Sequence, residues 1–140
     1  MGRRRKKGLC PCGSRQPYLR CCGRFIDGGE LPDTPSELMR SRYSAYAFGD
    51  VDYIIETTAP DGDAWNDDRE GWMEGIRDFH RSCDFRGVEI LEAEHDERTG
   101  TVTFRARLRR GDSDASFEET STFHRDESRW LYVSGVPRDR

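Results

Sequence analysis

Four cysteines crowd between positions 10 and 22, in the run Cys10-Pro-Cys12-Gly-Ser-Arg-Gln-Pro-Tyr-Leu-Arg-Cys21-Cys22-Gly. No other feature restricts the start of this chain so tightly. The C-x-C turn and the C-C pair each offer two thiols, and the residues between them are enough to reverse the chain and bring the pairs together. Zinc prefers four nitrogen or sulfur ligands in a tetrahedron. An extracellular disulfide framework would spread its cysteines along the chain, whereas here the fifth, Cys83, stands alone far away. Free or disulfide-bonded thiols and an iron–sulfur cluster are the alternatives; a tight C-C pair on a short loop suits one small ion better. Cys10, Cys12, Cys21 and Cys22 are therefore expected to hold a structural Zn²⁺. Four thiolates leave no vacant coordination position, so such an ion is a fold staple and not a reaction centre. Arg15, Arg20 and Arg24 would offset its negative charge.

Downstream, the hydrophobic period sets the fold class. Thr34 is a good N-cap, Pro35 suits the first helical position, and Glu37 completes a capping box. Met39, Tyr43 and Tyr46 recur at helical spacing, and Gly49 is a natural stop. Asp50 is placed to cap a second helix with Val51, Ile54, Ile55 and Thr58 on one face, closed by Pro60. An acidic loop over 60–68 precedes a third helical stretch, with Trp72, Ile76, Phe79 and Cys83 on a common face. After residue 84 the period becomes two. Val88 and Ile90 alternate with polar residues, and Val102, Phe104, Ala106 and Leu108 alternate with Thr103, Arg105, Arg107 and Arg109. A third strand is expected at about 115–125 and a fourth over Trp130 to Val136. Helices first and antiparallel strands afterwards imply an α+β fold with helices on one sheet face.

The motif CPCGSRQPYLRCCG resembles the SEC-C motif, a zinc knuckle known at the C-terminus of the translocase motor SecA. The segments DGGELPDTPSELMRSRYSAYAFGDVDYIIETTAP and ETSTFHRDESRWLYVSG resemble the YchJ-like family of small bacterial proteins, and the similarity runs from about residue 8 to residue 136. The resemblance implies an NTF2-like fold, a cone of helices cupped by a curved antiparallel sheet. The expected organisation is a basic disordered arm (1–9), the SEC-C knuckle (10–23), a linker (24–33) and an NTF2-like domain (34–137). The chain departs from the family's usual residues. Thr58-Ala59 stand where Trp-His is usual, Glu118 where His is usual, Phe85 where Trp is usual, and Arg15 where Gly follows Cys-Gly-Ser. Loss of the histidines at positions 59 and 118 bears on any function that rests on them.

The third strand places Phe117, Glu119, Ser121 and Phe123 on one face, with two polar groups between two aromatics on what should be the buried side. A buried Glu is costly unless paired. Arg40 or Arg42 is the expected structural partner, and an acid or base role in a concave pocket is the functional alternative. Tyr43, Tyr46, Tyr53, Glu119, Ser121 and Trp130 are the candidate pocket residues. His80, His95 and His124 fall in different elements without motif spacing. No P-loop, dinucleotide or nucleophile-elbow pattern is present.

Charge is uneven. Arg3, Arg4, Arg5, Lys6, Lys7, Arg15, Arg20 and Arg24 all precede the first acid, Asp27, so the net charge of −4 hides a basic head on an acidic body. The primary expectation is an interaction protein whose zinc knuckle meets a protein partner. The resemblance to the SecA module, which meets the chaperone SecB and anionic lipid, points to export or the ribosome. An enzyme or ligand cup around Glu119 and Ser121 is the second reading. Binding of nucleic acid or anionic lipid through the arm is the third, since the acidic body should repel a polyanion. A homodimer through the open sheet face is in keeping with NTF2-like domains. No run approaches a transmembrane length. The basic N-terminus lacks a secretory apolar run, and Lys6 stands where a myristoylation signal wants Ser or Thr, so a cytoplasmic location is expected.

Overall fold

The computed structural model describes residues 6–138. After the cysteine loop and a 3-10 turn at Tyr18–Arg20 come four helices: α1 (Gly23–Ile26), α2 (Pro35–Phe48), α3 (Val51–Glu56) and α4 (Arg69–Ser82). Five strands follow: β1 (Asp84–His95), β2 (Thr99–Arg110), β3 (Ser113–Asp114), β4 (Phe117–Asp126) and β5 (Arg129–Pro137). The four long strands form one antiparallel sheet in the order β1-β2-β4-β5, and β3 pairs with β2. The two-residue β3 lies inside what reads as a simple turn.

Helix α2 is the axis of the molecule. The Thr34 hydroxyl accepts the Glu37 N–H at 3.1 Å. Glu37 Oε1 reaches the N–H of Asp33, one residue before the cap, at 2.8 Å, so the expected capping box closes one position early. Gly49 ends the helix, and the Asp50 N–H returns to the Ala45 carbonyl at 2.8 Å. Asp50 precedes α3 but does not cap it with its side chain. Its carboxylate is turned to Lys6, 3.0 Å away.

Alternation works as expected on β2. Val102, Phe104, Ala106 and Leu108 are buried, whereas Arg105 and Arg107 pair with Glu118 (3.3 Å) and Glu89 (2.9 Å) on the other face. Bulges at Phe85/Gly87 and Ile90/Glu92 break the β1 register, and bulges bend the strand that carries them. Helix α2 packs on β1, β2 and β5. A second apolar cluster, built on Ala45, Val51, Ile54, Ile55 and Ile76, joins α2, α3 and α4 on its other side.

Three local expectations need correction. Cys83 is not on the α4 face; it follows the helix in extended backbone (φ −125, ψ 146), buried against the sheet side. Residues 24–33 are not a free linker. They begin inside α1, bury Phe25 and Pro32, and end with the Asp33 carbonyl accepting Trp130 Nε1–H at 3.1 Å. Residues 1–5 of the basic arm lie outside the described residues, but Lys6 is fixed. Its ammonium sits 3.2 Å from Asp27 and 3.0 Å from Asp50, over the rings of Tyr18 and Phe48. No helix among the described residues is long and apolar enough to cross a membrane.

Candidate metal centre and aromatic cleft

The loop returns on itself through paired backbone bonds. Cys10 N–H donates to the Gln16 carbonyl at 2.8 Å and Tyr18 N–H to the Gly8 carbonyl at 2.9 Å, with Leu9 bridged to Pro17. This reversal gathers Cys10, Cys12, Cys21 and Cys22, whose sulfurs all lie within 4.8 Å of one another. The Cys12 and Cys21 sulfurs are 3.7 Å apart. A tetrahedron of thiolates about 2.3 Å from a central ion has edges of about 3.8 Å, so the donor set fits a metal ion. Ser14 Oγ lies 3.1 Å from Cys21 Sγ, Ser44 Oγ lies 3.3 Å from Cys10 Sγ, and Arg40 Nη1 donates to Cys12 Sγ at 3.7 Å. Such outer hydrogen bonds orient thiolates and spread their charge.

The sulfurs are unequal as they stand. Hydrogen bonds from Cys10 and Cys22 hold the Cys12 thiol far below the usual range. Cys22 is driven upward by its bonds to Cys10 and Cys12 together with burial, and Cys10 chiefly by its bond to Cys12. A cation at the centre would need the four sulfurs as thiolates, and its binding would release the protons they held.

The cluster is wired into the body. Val88 N–H donates to the Cys12 carbonyl at 3.0 Å, just after the first bulge of β1. Gly13 and Gly87 meet there, and a Cβ built on Gly13 would come within 3.4 Å of the Gly87 Cα. Gly87 also holds φ 126, a conformation open to glycine alone. Tyr43 locks the contact from α2: its hydroxyl accepts the Gly87 N–H at 2.7 Å and donates to the Arg107 carbonyl at 3.0 Å. Cys10, Cys12, Tyr18 and Cys22 share one apolar cluster with Val102, Phe104, Phe123 and Trp130 of the sheet. Arg15, outside this contact, takes φ 69.

On the far side of Tyr43 a cleft of about 140 Å³ opens between α2 and the sheet. Helix α2 contributes Met39, Arg42, Tyr43 and Tyr46, and α4 contributes Phe79. The sheet contributes Phe85, Phe104, Ala106 and Leu108 from β1 and β2, then Phe117, Glu119 and Ser121 from β4 and Tyr132 from β5. Edge-to-face contacts of Phe79 with Tyr46 and Phe85 hold the helical wall. Glu119 Oε2 accepts from Ser121 Oγ at 2.9 Å and from Tyr132 Oη at 3.1 Å. This head group lies against the bare backbone of β5, where a Cβ on Gly135 would overlap Glu119 Oε2 and Tyr132 Oη.

Of the candidate pocket residues, Tyr43, Tyr46, Glu119 and Ser121 line this cleft, and Tyr53 and Trp130 do not. Tyr53 lies 2.7 Å from Ser41 Oγ through its hydroxyl and faces a different hollow, between α3 and α4. Trp130 lies with His95 and Arg125, its indole N–H on Asp33. Neither Arg40 nor Arg42 bonds Glu119. Arg40 is spent on Cys12. Arg42, 5% exposed, gives Nη1 to the Ile54 carbonyl (3.0 Å), Thr57 Oγ1 (2.8 Å) and Thr58 Oγ1 (3.1 Å) at the end of α3. Burial lowers the pKa of this guanidinium. The guanidinium lies over the Tyr132 ring, 4.3 Å from the centroid, and the hydroxyl of that ring is on Glu119. Sequence reasoning misses Tyr132, although it stands two residues from Trp130, the strand spacing that puts both on one face. Thr58 anchors Arg42, Ala59 is fully buried, and Glu118 pairs with Arg105; the three histidines are not brought together.

Comparisons with known proteins agree on this architecture. The model of the family described as YchJ, middle NTF2-like domain, matches residues 34–135. A UPF0225 protein of Serratia proteamaculans is 36% identical over 132 residues, covering 91% of this chain and 82% of that protein. The solution structure of a SEC-C motif containing protein from Rhodopseudomonas palustris superposes with a TM-score of 0.80 at 36% identity, over 94% of this chain and 99% of the other. A crystal structure of a SEC-C motif containing protein from Psychrobacter arcticus does so with a TM-score of 0.73 at 25% identity, over 94% of this chain and 84% of the other.

Proposed function

The chain belongs to the YchJ (UPF0225) family, and from that premise we propose that it is an adaptor in which a structural four-cysteine zinc knuckle presents a basic and apolar surface to a protein partner in export or on the ribosome. The observation that carries this reading is the closed thiol cluster together with what it displays. Four sulfurs within 4.8 Å leave an ion no open position, so the ion supports a surface and does no chemistry. On that loop Leu9 and Leu19 are 65% and 67% exposed, in company with the exposed Lys7, Arg15 and Arg20. Exposed leucines among cations suit a partner surface that is apolar with acidic flanks. The SEC-C resemblance supplies the choice of export or ribosome.

Two measurements test it. Metal analysis of the purified chain should find one zinc per protein, lost in Cys10→Ser. Co-sedimentation with ribosomes and retention on immobilised SecB should be seen for the native chain and be reduced at least tenfold in Leu9→Ser/Leu19→Ser. Failure of the native chain to bind either removes the named partners. Equal binding by the double variant removes the knuckle surface.

A second reading, a small-molecule cup, is favoured by the cleft itself, whose wall carries the one carboxylate of Glu119 amid aromatic rings. An enzyme would need a second group converging on the same reacting atom. Ser121 and Tyr132 both spend their hydroxyls on Glu119.

A further inference from the structure

The cleft has a size, a polarity and a charge balance that together name a ligand class. Its volume of about 140 Å³ compares with the ~150 Å³ of an apolar cavity that admits benzene. Most of the lining residues are aromatic or aliphatic, and Phe117 at the mouth is 40% exposed. Glu119 is the one carboxylate among them. Glu119 Oε2 is satisfied by Ser121 and Tyr132, and Oε1 has no hydrogen-bond partner among the described residues. The wall therefore offers one acceptor without a donor.

Charge decides the rest. Arg42 and Glu119 both line the cleft, the guanidinium over the face of the Tyr132 ring and the carboxylate on the hydroxyl of that ring. The two formal charges oppose each other across a single side chain. A cationic ligand would meet Glu119 and, close behind, Arg42. An anionic ligand would meet Arg42 and, beside it, Glu119. Neither recovers the several kcal/mol that an ion loses on leaving water. A neutral donor loses little and satisfies Oε1.

On the cup reading above, we infer that the cleft binds a neutral, single-ring aromatic molecule carrying one hydrogen-bond donor, with the ring between α2 and β2 and the donor on Glu119. Phenol and benzamide represent the class. Anisole lacks the donor, benzylamine adds a cation, and benzoate adds an anion.

The full metal-loaded chain, ¹⁵N-labelled, is titrated with each of the five compounds, and the amide shifts of Ala106, Ser121 and Tyr132 are followed. Phenol and benzamide should bind at least fivefold more tightly than anisole, with the two ions weaker still. Glu119→Gln should erase the advantage of phenol over anisole without weakening anisole. Ala106→Leu, which fills the cleft, should abolish all binding, with the folded spectrum confirming that the chain is intact; should that variant not fold, the Glu119→Gln titration decides alone. If no compound moves these amides, both the cup and the ligand class fall. If anisole equals phenol, or an ion binds best, the ligand class falls and the cup stands.

Discussion

The knuckle and the cleft lie on opposite sides of one tyrosine and solve opposite problems. At the knuckle the polar groups around the sulfurs are engaged: Cys12 Sγ with Cys21 Sγ, Ser14 and Ser44 with sulfur, the Cys12 carbonyl with Val88 N–H. In the cleft aromatic edges meet across open space, and one carboxylate oxygen is left over. The difference teaches where each part of the molecule gets its rigidity. The knuckle is too short to bury a core of its own; it packs on the sheet and gathers four sulfurs that could hold a metal ion. The cleft can stay open because the elements around it are anchored elsewhere, by Arg42 at the end of α3 and by the second apolar cluster.

Metal removal should break this contrast most severely. Structural zinc supplies on the order of 10 kcal/mol of apparent binding free energy in isolated fingers. Because Cys12, Cys22 and Tyr18 pack with Phe123 and Trp130, part of that loss should reach the sheet. Calorimetry with and without a chelator should show one transition whose Tm falls by roughly 10 °C or more, at about 3 °C per kcal/mol for a chain of this size. An unchanged main transition would make the knuckle an independent appendage. Tyr43→Phe comes next. It orphans the Gly87 N–H and removes a bond to Arg107, a cost of about 2 kcal/mol. Gly87 adjoins Val88, the residue that bonds Cys12, so this variant should also release metal to a competing chelator several-fold faster. A stability loss with unchanged release would place Tyr43 in the cleft alone.

High pH should act on Tyr43, and on Tyr53 of α3, more gently. Burial pushes Tyr43 and Tyr53 up to about 12, from 10 in the unfolded chain. The unfolded state therefore sheds these protons first. Stability from both rings is fully present below pH 10 and is lost as pH rises toward 12. The expected loss is about 1 kcal/mol per ring one unit above pH 10, seen in denaturant midpoints, and each phenylalanine variant should flatten its share of the slope.

Much of this was legible in the chain. The thiol cluster needed only spacing, and β2 declared its buried face by strict alternation from Val102 to Leu108. What escaped was set by contacts across the fold. Cys83 continues the apolar spacing of α4, yet the helix ends at Ser82 because β1 begins at once. Arg42 carries no helical signature that sends it to the α3 terminus and away from Glu119; only the approach of Thr57 and Thr58 decides that. Trp130 and Tyr132 follow the same strand alternation, but their polar groups find different partners across the fold: the indole N–H is tied to Asp33, and the Tyr132 hydroxyl joins Glu119 in the cleft. Lys6 reads as one more cation in a basic run, and its two carboxylate partners are far away in sequence.

The smallest effect expected concerns the outer rim of the knuckle. Arg15 holds φ 69, a left-handed conformation that side chains other than glycine adopt at a cost of roughly 1 kcal/mol or more. Its side chain is exposed, so the substitution removes little packing. Arg15→Gly relieves the strain but makes the unfolded chain freer, which takes back part of the gain. The net expectation is stabilisation by about 0.5 kcal/mol in chemical denaturation, with metal affinity unchanged. The same variant removes one cation from the surface assigned to the partner. If it stabilises the chain while weakening partner retention, Arg15 is a strained residue kept for contact. If it stabilises and binds equally, the contact rests on Leu9, Leu19 and the remaining cations, and the rim at Arg15 is only strained.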